Sequence, residues 1–402
     1  MKDLESSRSE LSLTREILVY FRLGCLAVLL ALVHSVAAQD RMVTRNRAAD
    51  VQTAFARAQH LKRGINASIW FAQSPGDYSA ARTNRYIDAR DIALIARLGF
   101  DNVRLSIDAV PLESGTLGTD GLNADFLARL DRAVDTILAQ GLAVQIDLHP
   151  EVSFKQPLGT NDDAVDRLTR LWRRLAAHYA TRDPERVFFE ILNEPGITDE
   201  YRWAGIQARL AAAIREAAPR HTIIAAGANG SSIADLLNLL PLNDGNIIYN
   251  FHFYDPTQFT HQGAGWGPLW WTYTRGIPYP ATESTMREFV KQVPDAANRY
   301  KLEQYWLDHW DAHHIRMLID DAAAWGHENN VPLICNEFGV FRDFADPSSR
   351  ANWIRDVRAA LEADGIGWAM WDYRDNFGLV FKEDGQPARV DDEMVEALGL
   401  KN

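Results

Sequence analysis

The chain of 402 residues contains only two cysteines, Cys25 and Cys335. Two thiols cannot build a disulfide framework, so a hydrophobic core must stabilise the protein. A chain of this length can bury such a core, and 47% hydrophobic and 24% charged residues are typical of globular proteins. The composition therefore excludes disordered, fibrous and multi-span membrane proteins.

Basic residues are also in deficit, with 42 Lys and Arg against 54 Asp and Glu and a net charge of −12. A phosphate backbone repels such a chain, so we expect no nucleic-acid partner. A dinucleotide-binding turn is missing as well, because the segment LKRGINASIW (61–70) has one glycine where that turn needs three.

No metal-binding spacing accompanies the candidate histidines. His149 with His252, and His313 with His314, could form metal pairs. Neither pair has the i, i+4 spacing of a helical zinc site, and the chain has no Cys-x-x-Cys. We therefore expect neither a catalytic metal nor a cofactor.

One apolar run, Leu23–Val33, lies near the amino terminus. It follows Arg15 and Arg22, precedes small residues, and is shorter than the roughly 20 residues of a membrane-spanning helix. This pattern predicts a signal peptide over residues 1–38, cleaved after Ala38, and a protein secreted to the extracellular space or periplasm. The alternative is an uncleaved anchor, because the segment before the run is long and mixed in charge. After cleavage we expect a monomer without stable membrane insertion.

Aromatic residues are abundant, with 12 Trp, 12 Tyr and 17 Phe. So many large flat rings suggest that the protein stacks a flat ligand against some of them.

Short apolar runs alternate with amphipathic helical patterns from about residue 61. The runs cover residues 61–66, 102–107, 143–148, 187–192, 222–226, 247–253, 332–336 and 366–371. The clearest helical patterns cover residues 123–140, 162–180, 200–218, 308–328 and 350–363. Eight strands alternating with helices predict an α/β fold, a single-domain (β/α)8 TIM barrel over residues 39–402 with its core at about 60–385.

The stretch from Asp255 to about Tyr300 interrupts this alternation after the sixth strand. We predict a long loop there, and its aromatic content is too high for a disordered linker. Trp266, Trp270 and Trp271 lie on this loop, so we expect substrate contact from them, with one of the three only packing.

Polar residues follow the predicted strands where catalytic groups of a barrel lie. Glu194 and Glu337 end the fourth and seventh strands, each directly after an asparagine. Glycoside hydrolysis needs one carboxylic acid and one carboxylate, and these two positions face each other across a barrel mouth. Both glutamates are present, which argues against a binding protein on an inactive hydrolase scaffold.

The motifs ILNEP and CNEFG, together with other strand-end residues, resemble glycoside hydrolase family 5, the cellulase A family of the retaining β-glycanase clan. The residues that carry the resemblance are Arg104, His149, Asn193, Glu194, His252, Tyr254, Glu337 and Trp371. The resemblance covers roughly residues 60–385.

The resemblance implies a role for each of these residues. Glu194 would be the acid/base with a raised pKa, and Glu337 the nucleophile, kept ionised by Arg104 and a hydrogen bond from Tyr254. Asn193 would bind the sugar 2-hydroxyl, His149 and His252 would line the same subsite, and Trp371 would stack beneath the reacting sugar. Retention of configuration, with carboxyl groups about 5–5.5 Å apart, would follow.

Trp70 follows the first strand and is expected to be either a sugar platform or a packing residue. We expect a secreted endo-β-1,4-glucanase that acts on polysaccharide or oligosaccharide. The alternatives are a β-1,3-glucanase or β-mannanase of the same family, or a membrane-anchored enzyme that trims the producer's own exopolysaccharide, because loop shape rather than the catalytic set decides specificity.

Overall fold

The computed structural model describes residues 47–74 and 76–401. The predicted signal peptide, residues 1–38, lies outside these residues. The chain divides into two units, Met1–Asp50 and Val51–Asn402, and the second contains the whole barrel. Within the described residues, no helix is both long enough and apolar enough to cross a membrane.

Eight parallel strands close into a barrel in sequence order, which confirms the predicted (β/α)8 fold. The strands are β1 (Arg63–Phe71), β2 (Asn102–Ile107), β3 (Ala143–Leu148), β4 (Val187–Glu190), β5 (Thr222–Ala226), β6 (Ile247–Phe253), β7 (Leu333–Phe338) and β8 (Gly367–Met370). A short hairpin, β9 (Val380–Phe381) and β10 (Arg389–Val390), follows the barrel.

The barrel interior changes from apolar to polar along the strands. A small apolar cluster that includes Phe188, Ile248 and Ile334 is separate from the main core. Because alternate residues of a strand share a face, the next layer on these strands is Glu190, Asn250 and Asn336. This buried polar layer supports the carboxyl end of the barrel, where catalytic groups of such folds lie.

Helices connect the strands and cover the outside of the barrel. They are α1 (47–58), α2 (Ala80–Tyr86), α3 (Ala89–Leu98), α4 (Ala109–Leu112), α5 (Ala124–Ala139), α6 (Val152–Lys155), α7 (Asp162–Tyr179), α8 (Glu200–Ala217), α9 (Ile233–Leu237), α10 (Thr257–Thr260), α11 (Glu283–Gln292), α12 (Ala296–Leu307), α13 (Ala312–Asn329), α14 (Pro347–Ala363) and α15 (Asp392–Ala397). Asn123 and Asn161 cap α5 and α7 by accepting backbone N–H bonds, which explains why these predicted helices begin where they do.

The long connection predicted after β6 is present, but it is not irregular throughout. It contains α10, a 3-10 turn at Leu269–Tyr273, α11 and α12. Thr282 and Asp295 cap α11 and α12, a local signal for helices that the sequence interpretation did not use. The connection is tied down by hydrogen bonds from the hydroxyl of Tyr279 to Asp356 (2.9 Å) and from that of Tyr305 to the Pro278 carbonyl (2.6 Å).

Candidate active site

A cleft of about 540 Å³ opens at the carboxyl ends of the strands. Its lining contains His149, Asn193, Glu194, Tyr254, Trp266, Glu337 and Trp371 from the predicted set, and also Ile69, Gln73, Thr257, His261, Trp271, Asp372, Asp375, Asn376 and Phe377. The structure thus brings most of the predicted site residues to one place. Arg104 and His252 lie behind this surface and are buried.

Arg104 is fully buried on β2 and organises the floor of the cleft. Its Nε and Nη2 donate to the two oxygens of Glu190, each at 2.7 Å. Its Nη1 donates to Glu337 at 2.5 Å and to Asn66 at 3.0 Å, and its Nη2 also donates to Asn193 at 2.9 Å. One guanidinium therefore positions both the Glu337 carboxylate and the Asn193 amide.

Glu190 is the part of this network that sequence reasoning missed. It ends β4, is buried, and also accepts hydrogen bonds from Asn250 (3.0 Å) and Asn336 (2.8 Å). The available signal was a carboxylate inside an otherwise apolar strand, since a buried charge requires partners. Its position below the cleft makes Glu190 a counter-ion for Arg104 and not a group that meets substrate.

Glu337, at the end of β7, is held from two sides. Besides the bond from Arg104, it accepts a hydrogen bond from the Tyr254 hydroxyl at 3.0 Å. The guanidinium and the phenol each contact one of its oxygens and so fix the orientation of the carboxyl group. Glu337 is 4% exposed, so its carboxylate meets the cleft through a narrow opening.

Glu194 follows β4 in a left-handed conformation, with φ of 35°. Lys155, on α6, donates to the carbonyls of Asn193 (3.1 Å) and Glu194 (2.6 Å) and so clamps this turn from below. Burial lowers the pKa of Lys155 against the opposing effect of Glu194 and other carboxylates. The sequence offered no signal for Lys155, because it comes from a separate helix.

The predicted rise in the pKa of Glu194 is wrong for the free cleft. Removal from water does act to raise this pKa, but the hydrogen bond and charge of His252, with the charge of Lys155, lower it. Conversely, burial acts to lower the pKa of His252, but the charges of Glu337 and Glu194 and the bond to Glu194 raise it. His252 Nδ1 lies 3.0 Å from Glu194 and 3.5 Å from Glu337, so an N–H at this atom points between the two carboxyl groups.

His149 differs from His252, because burial outweighs the opposing charges of Glu337 and Glu194 there. Burial, with the positive charges of Arg104 and Lys155, lowers the pKa of His149 to about 3, so its ring is neutral. Nδ1 then donates to Asp147 at 2.9 Å, and Nε2 accepts from the Asn193 amide at 3.0 Å. The Asn193 amide retains one further N–H for a ligand in the cleft.

Several aromatic rings line the cleft. Trp371 stacks on His149 with ring centres 5.5 Å apart and an interplanar angle of 26°. Trp266, 57% exposed, stands edge-on against Phe341 at the rim. Trp271 stacks on His261 at 4.4 Å, while Trp270 contacts Trp271 and does not line the cleft.

Trp70 does not line the cleft, so its interpretation as a sugar platform is wrong. It is 5% exposed, its indole N–H donates to the Thr83 carbonyl at 2.7 Å, and its ring packs against Phe71. The reason is the strand geometry near Ile69, which has φ of 51° and disturbs the alternation of faces along β1. Trp70 therefore joins β1 to α2.

The described residues contain one cluster that could hold a metal ion: Glu194, His252 and Glu337, each with a ligand atom within 4.8 Å of the others. Arg104 and Tyr254 already bond to Glu337, and the positive guanidinium counters the charge that would attract a cation. This donor set suits proton transfer better than metal binding. The expectation of no metal stays a prediction.

Comparisons with known proteins all find enzymes of the cellulase type. The family described as cellulase (glycosyl hydrolase family 5) matches residues 66–377, which include every residue that lines the cleft. Endoglucanase C of Acetivibrio thermocellus is 32% identical over 346 residues, 85% of this chain and 98% of that protein. Cellodextrinase A of Ruminococcus flavefaciens is 35% identical over 323 residues, 77% of this chain and 84% of that protein. The solved structure of endoglucanase Cel5A from Thermotoga maritima has a TM-score of 0.70 and 26% identity, over 86% of this chain and 99% of that one.

Proposed function

Since this chain belongs to the cellulase family, glycosyl hydrolase family 5, we propose that it is a retaining endo-β-1,4-glucanase that cleaves by double displacement. Membership makes it a glycosidase that hydrolyses O-glycosyl bonds. The stereochemistry, the linkage cleaved and the position of cleavage are the parts that we propose.

The short separation of the two carboxylates is the observation that carries the mechanism. A ligand oxygen of Glu194 lies within 4.8 Å of one of Glu337. Retaining glycosidases hold their carboxyl groups about 5–5.5 Å apart, whereas inverting enzymes need about 6.5–9.5 Å to admit a water molecule. The separation here supports direct attack by one carboxylate.

Glu337 is the nucleophile, because Arg104 and Tyr254 hold its two carboxyl oxygens in place at the cleft. Its oxygen bonds to the anomeric carbon while the bond from that carbon to the glycosidic oxygen breaks. Glu194 gives a proton to the departing oxygen, and that proton reaches Glu194 across its 3.0 Å bond to His252. Water then attacks the anomeric carbon and gives a proton to Glu194, while the bond from that carbon to Glu337 breaks and releases the carboxylate. The proton returns from Glu194 to His252 across their hydrogen bond, which restores the starting state.

Asn193 and Trp371 position the sugar for this reaction. The free N–H of Asn193 donates to the 2-hydroxyl, a contact that strengthens as positive charge develops on the ring. The face of Trp371 supports the sugar, with His149 stacked behind it. The neutral state of His149 is required here, since its Nε2 must accept the Asn193 bond.

The proposed substrate is a β-1,4-glucan. Related proteins are named endoglucanases, and Cel5A has been solved with cellobiose in a structure 25% identical to this chain with a TM-score of 0.68. β-1,3-Glucan and mannan remain alternatives. The relative named cellodextrinase makes short cello-oligosaccharides a further candidate substrate.

The test is hydrolysis of soluble β-1,4-, β-1,3- and mixed-linkage glucans and mannan, with analysis of product sizes and early-product NMR. We expect cleavage within β-1,4-glucan and a product that keeps the β configuration. Release of only terminal units would contradict endo action, and inversion would contradict the role of Glu337. Glu337→Gln serves as the inactive control.

We also propose secretion after cleavage behind Ala38. The support is the charge and apolar pattern of residues 1–38. Intact mass of the exported protein tests it: a chain that begins at Gln39 is expected. A mass that includes residues 1–38 would instead favour a membrane-anchored enzyme acting on the producer's own exopolysaccharide.

A further inference from the structure

A second cavity, of about 510 Å³, lies beside the catalytic cleft. We call it the Tyr78 pocket. Its lining includes Ser74, Tyr78, Asp108, Arg129, Glu151 and Ser153. These residues come from the segments that follow β1, β2 and β3 and from α5, so the Tyr78 pocket lies at the same end of the barrel as the cleft.

The Tyr78 pocket adjoins the cleft on two walls. Gln73 lines the cleft, and its chain neighbour Ser74 lines the Tyr78 pocket. His149 lines the cleft, and Glu151, two residues later, lines the Tyr78 pocket. Since neighbouring Cα atoms are about 3.8 Å apart, each of these walls is shared or nearly so. A linear ligand that leaves the cleft over β1 and β3 would enter the Tyr78 pocket.

Tyr78 presents a fixed, half-buried aromatic ring in this cavity. Its hydroxyl donates to Asp108 at 2.9 Å, its ring stands edge-on against Phe126 with centres 5.9 Å apart, and its carbonyl accepts from Arg129 at 3.0 Å. A tyrosine that is held at its hydroxyl, its ring and its backbone loses little conformational entropy on binding. Such a ring suits stacking against the flat apolar face of a sugar, by analogy with other rigid aromatic anchors.

Polar groups around the ring can satisfy sugar hydroxyls. Glu151 and Ser153 are exposed on the rim and offer acceptors and a donor. Arg129 is 7% exposed, and its Nε has no hydrogen-bond partner among the residues that the structure describes. This Nε is itself out of a ligand's reach, so the exposed rim groups Glu151 and Ser153 would make the contacts to sugar hydroxyls.

We propose that the Tyr78 pocket is a distal sugar-binding subsite that holds a β-glucan chain beyond the reacting sugar, with Tyr78 as its stacking platform. This inference rests on the proposed function and extends it to the length of chain that the enzyme engages. The aromatic contact expected on the β1 side is thus made by Tyr78 and not by Trp70.

The test is kcat/KM on cello-oligosaccharides from three to six glucose units, for wild type, Tyr78→Ala and Tyr78→Phe. Loss of stacking in Tyr78→Ala should lower kcat/KM on the longest substrate by about 2- to 10-fold, through KM, and leave the shortest unchanged. Tyr78→Phe keeps the ring and should behave as wild type. Tyr300→Ala, on a 56% exposed tyrosine of α12 that lines neither cavity, is the matched control.

Ser153→Trp provides a second variant that does not disturb the buried contacts of Tyr78. Its ring would fill the cavity from an exposed position and should produce the same length-selective loss. Wild type that cleaves none of these substrates would refute the proposed function, and with it the glucan subsite. Wild type that cleaves them, with no length-selective loss in Tyr78→Ala or Ser153→Trp, would overturn the subsite alone.

Discussion

Replacing Arg104 with lysine tests whether one guanidinium organises the catalytic floor. Arg104 makes five hydrogen bonds, to Glu190 twice and to Asn66, Asn193 and Glu337 once each. A lysine ammonium has three donors, so at least two bonds are lost even if the charge stays in place. Bonds to charged groups contribute about 1.5–3 kcal/mol each, which gives a loss of about 3–6 kcal/mol.

We expect this loss to appear in both activity and stability. Looser positioning of Glu337 and Asn193 should lower kcat/KM on soluble β-1,4-glucan by about 10²- to 10³-fold, equivalent to about 3–4 kcal/mol. The melting temperature should fall by roughly 5–15 °C. Activity is measured well below the variant's melting temperature, so that unfolding does not contribute.

Arg57→Lys is the matched control for loss of a buried arginine. Arg57 is 6% exposed and donates to Glu185, to the Arg220 carbonyl and to Thr222, the first residue of β5, so it lies at the end of the barrel opposite the cleft. This control should lose stability and keep kcat/KM. The reasoning is refuted if Arg104→Lys keeps kcat/KM within about tenfold of wild type, or if Arg57→Lys loses as much activity.

Four further outcomes follow from the structure. Burial raises the pKa of Asp372 to about 7, so the folded state holds a proton that the unfolded state releases, and stability should fall as pH rises from about 4 to 7. Asp372→Asn should therefore change the melting temperature little at pH 4 and raise it at pH 8, by at most about 4 kcal/mol of stability; an equal shift at both pH values would contradict this. The hydrogen bond to Asp131 raises the pKa of His178, so its stabilisation is complete below about pH 6.5 and is lost as pH rises through the folded pKa. The melting temperature of His178→Gln should thus be reduced more at pH 5.5 than at pH 9, and the reverse order would count against the ion pair. Trp70→Phe should cost about 1–3 kcal/mol through the unpaired Thr83 carbonyl without changing KM, whereas a raised KM would place Trp70 at the substrate. Dialysis against a chelator should leave kcat unchanged, and a loss restored by a divalent ion would reveal a metal at the carboxylate pair.

The barrel was predictable because its strands are buried on both faces. Such strands appear as short, mainly apolar runs, and β2, β3, β5 and β6 begin and end at the predicted residues. β1 was harder, because it continues beyond Asn66 to Phe71 through the left-handed Ile69. A β-branched residue in that conformation leaves no local mark in the sequence, since tertiary contacts impose it.

In the connection after β6, too, some features were predictable from the sequence and others were not. Thr282 and Asp295 are cap residues whose meaning is local, so α11 and α12 could have been found from the sequence. The hydrogen bond from Tyr279 to Asp356 joins residues 77 positions apart. This contact could not have been found from the sequence.

The sequence by itself determined the strand order and the residues that end each strand, because alternation and strand-end polarity are local properties of the chain. It therefore pointed to Glu194 and Glu337 as a facing pair. Only the tertiary structure decided the directions in which the pKa values of Glu194 and His252 move, because these pKa values depend on charges that five different strands and a helix bring together. It also decided that Tyr78 lines the pocket beside the cleft and that Trp70 lines neither, since the face that a side chain presents depends on how the strand end is held against its neighbours.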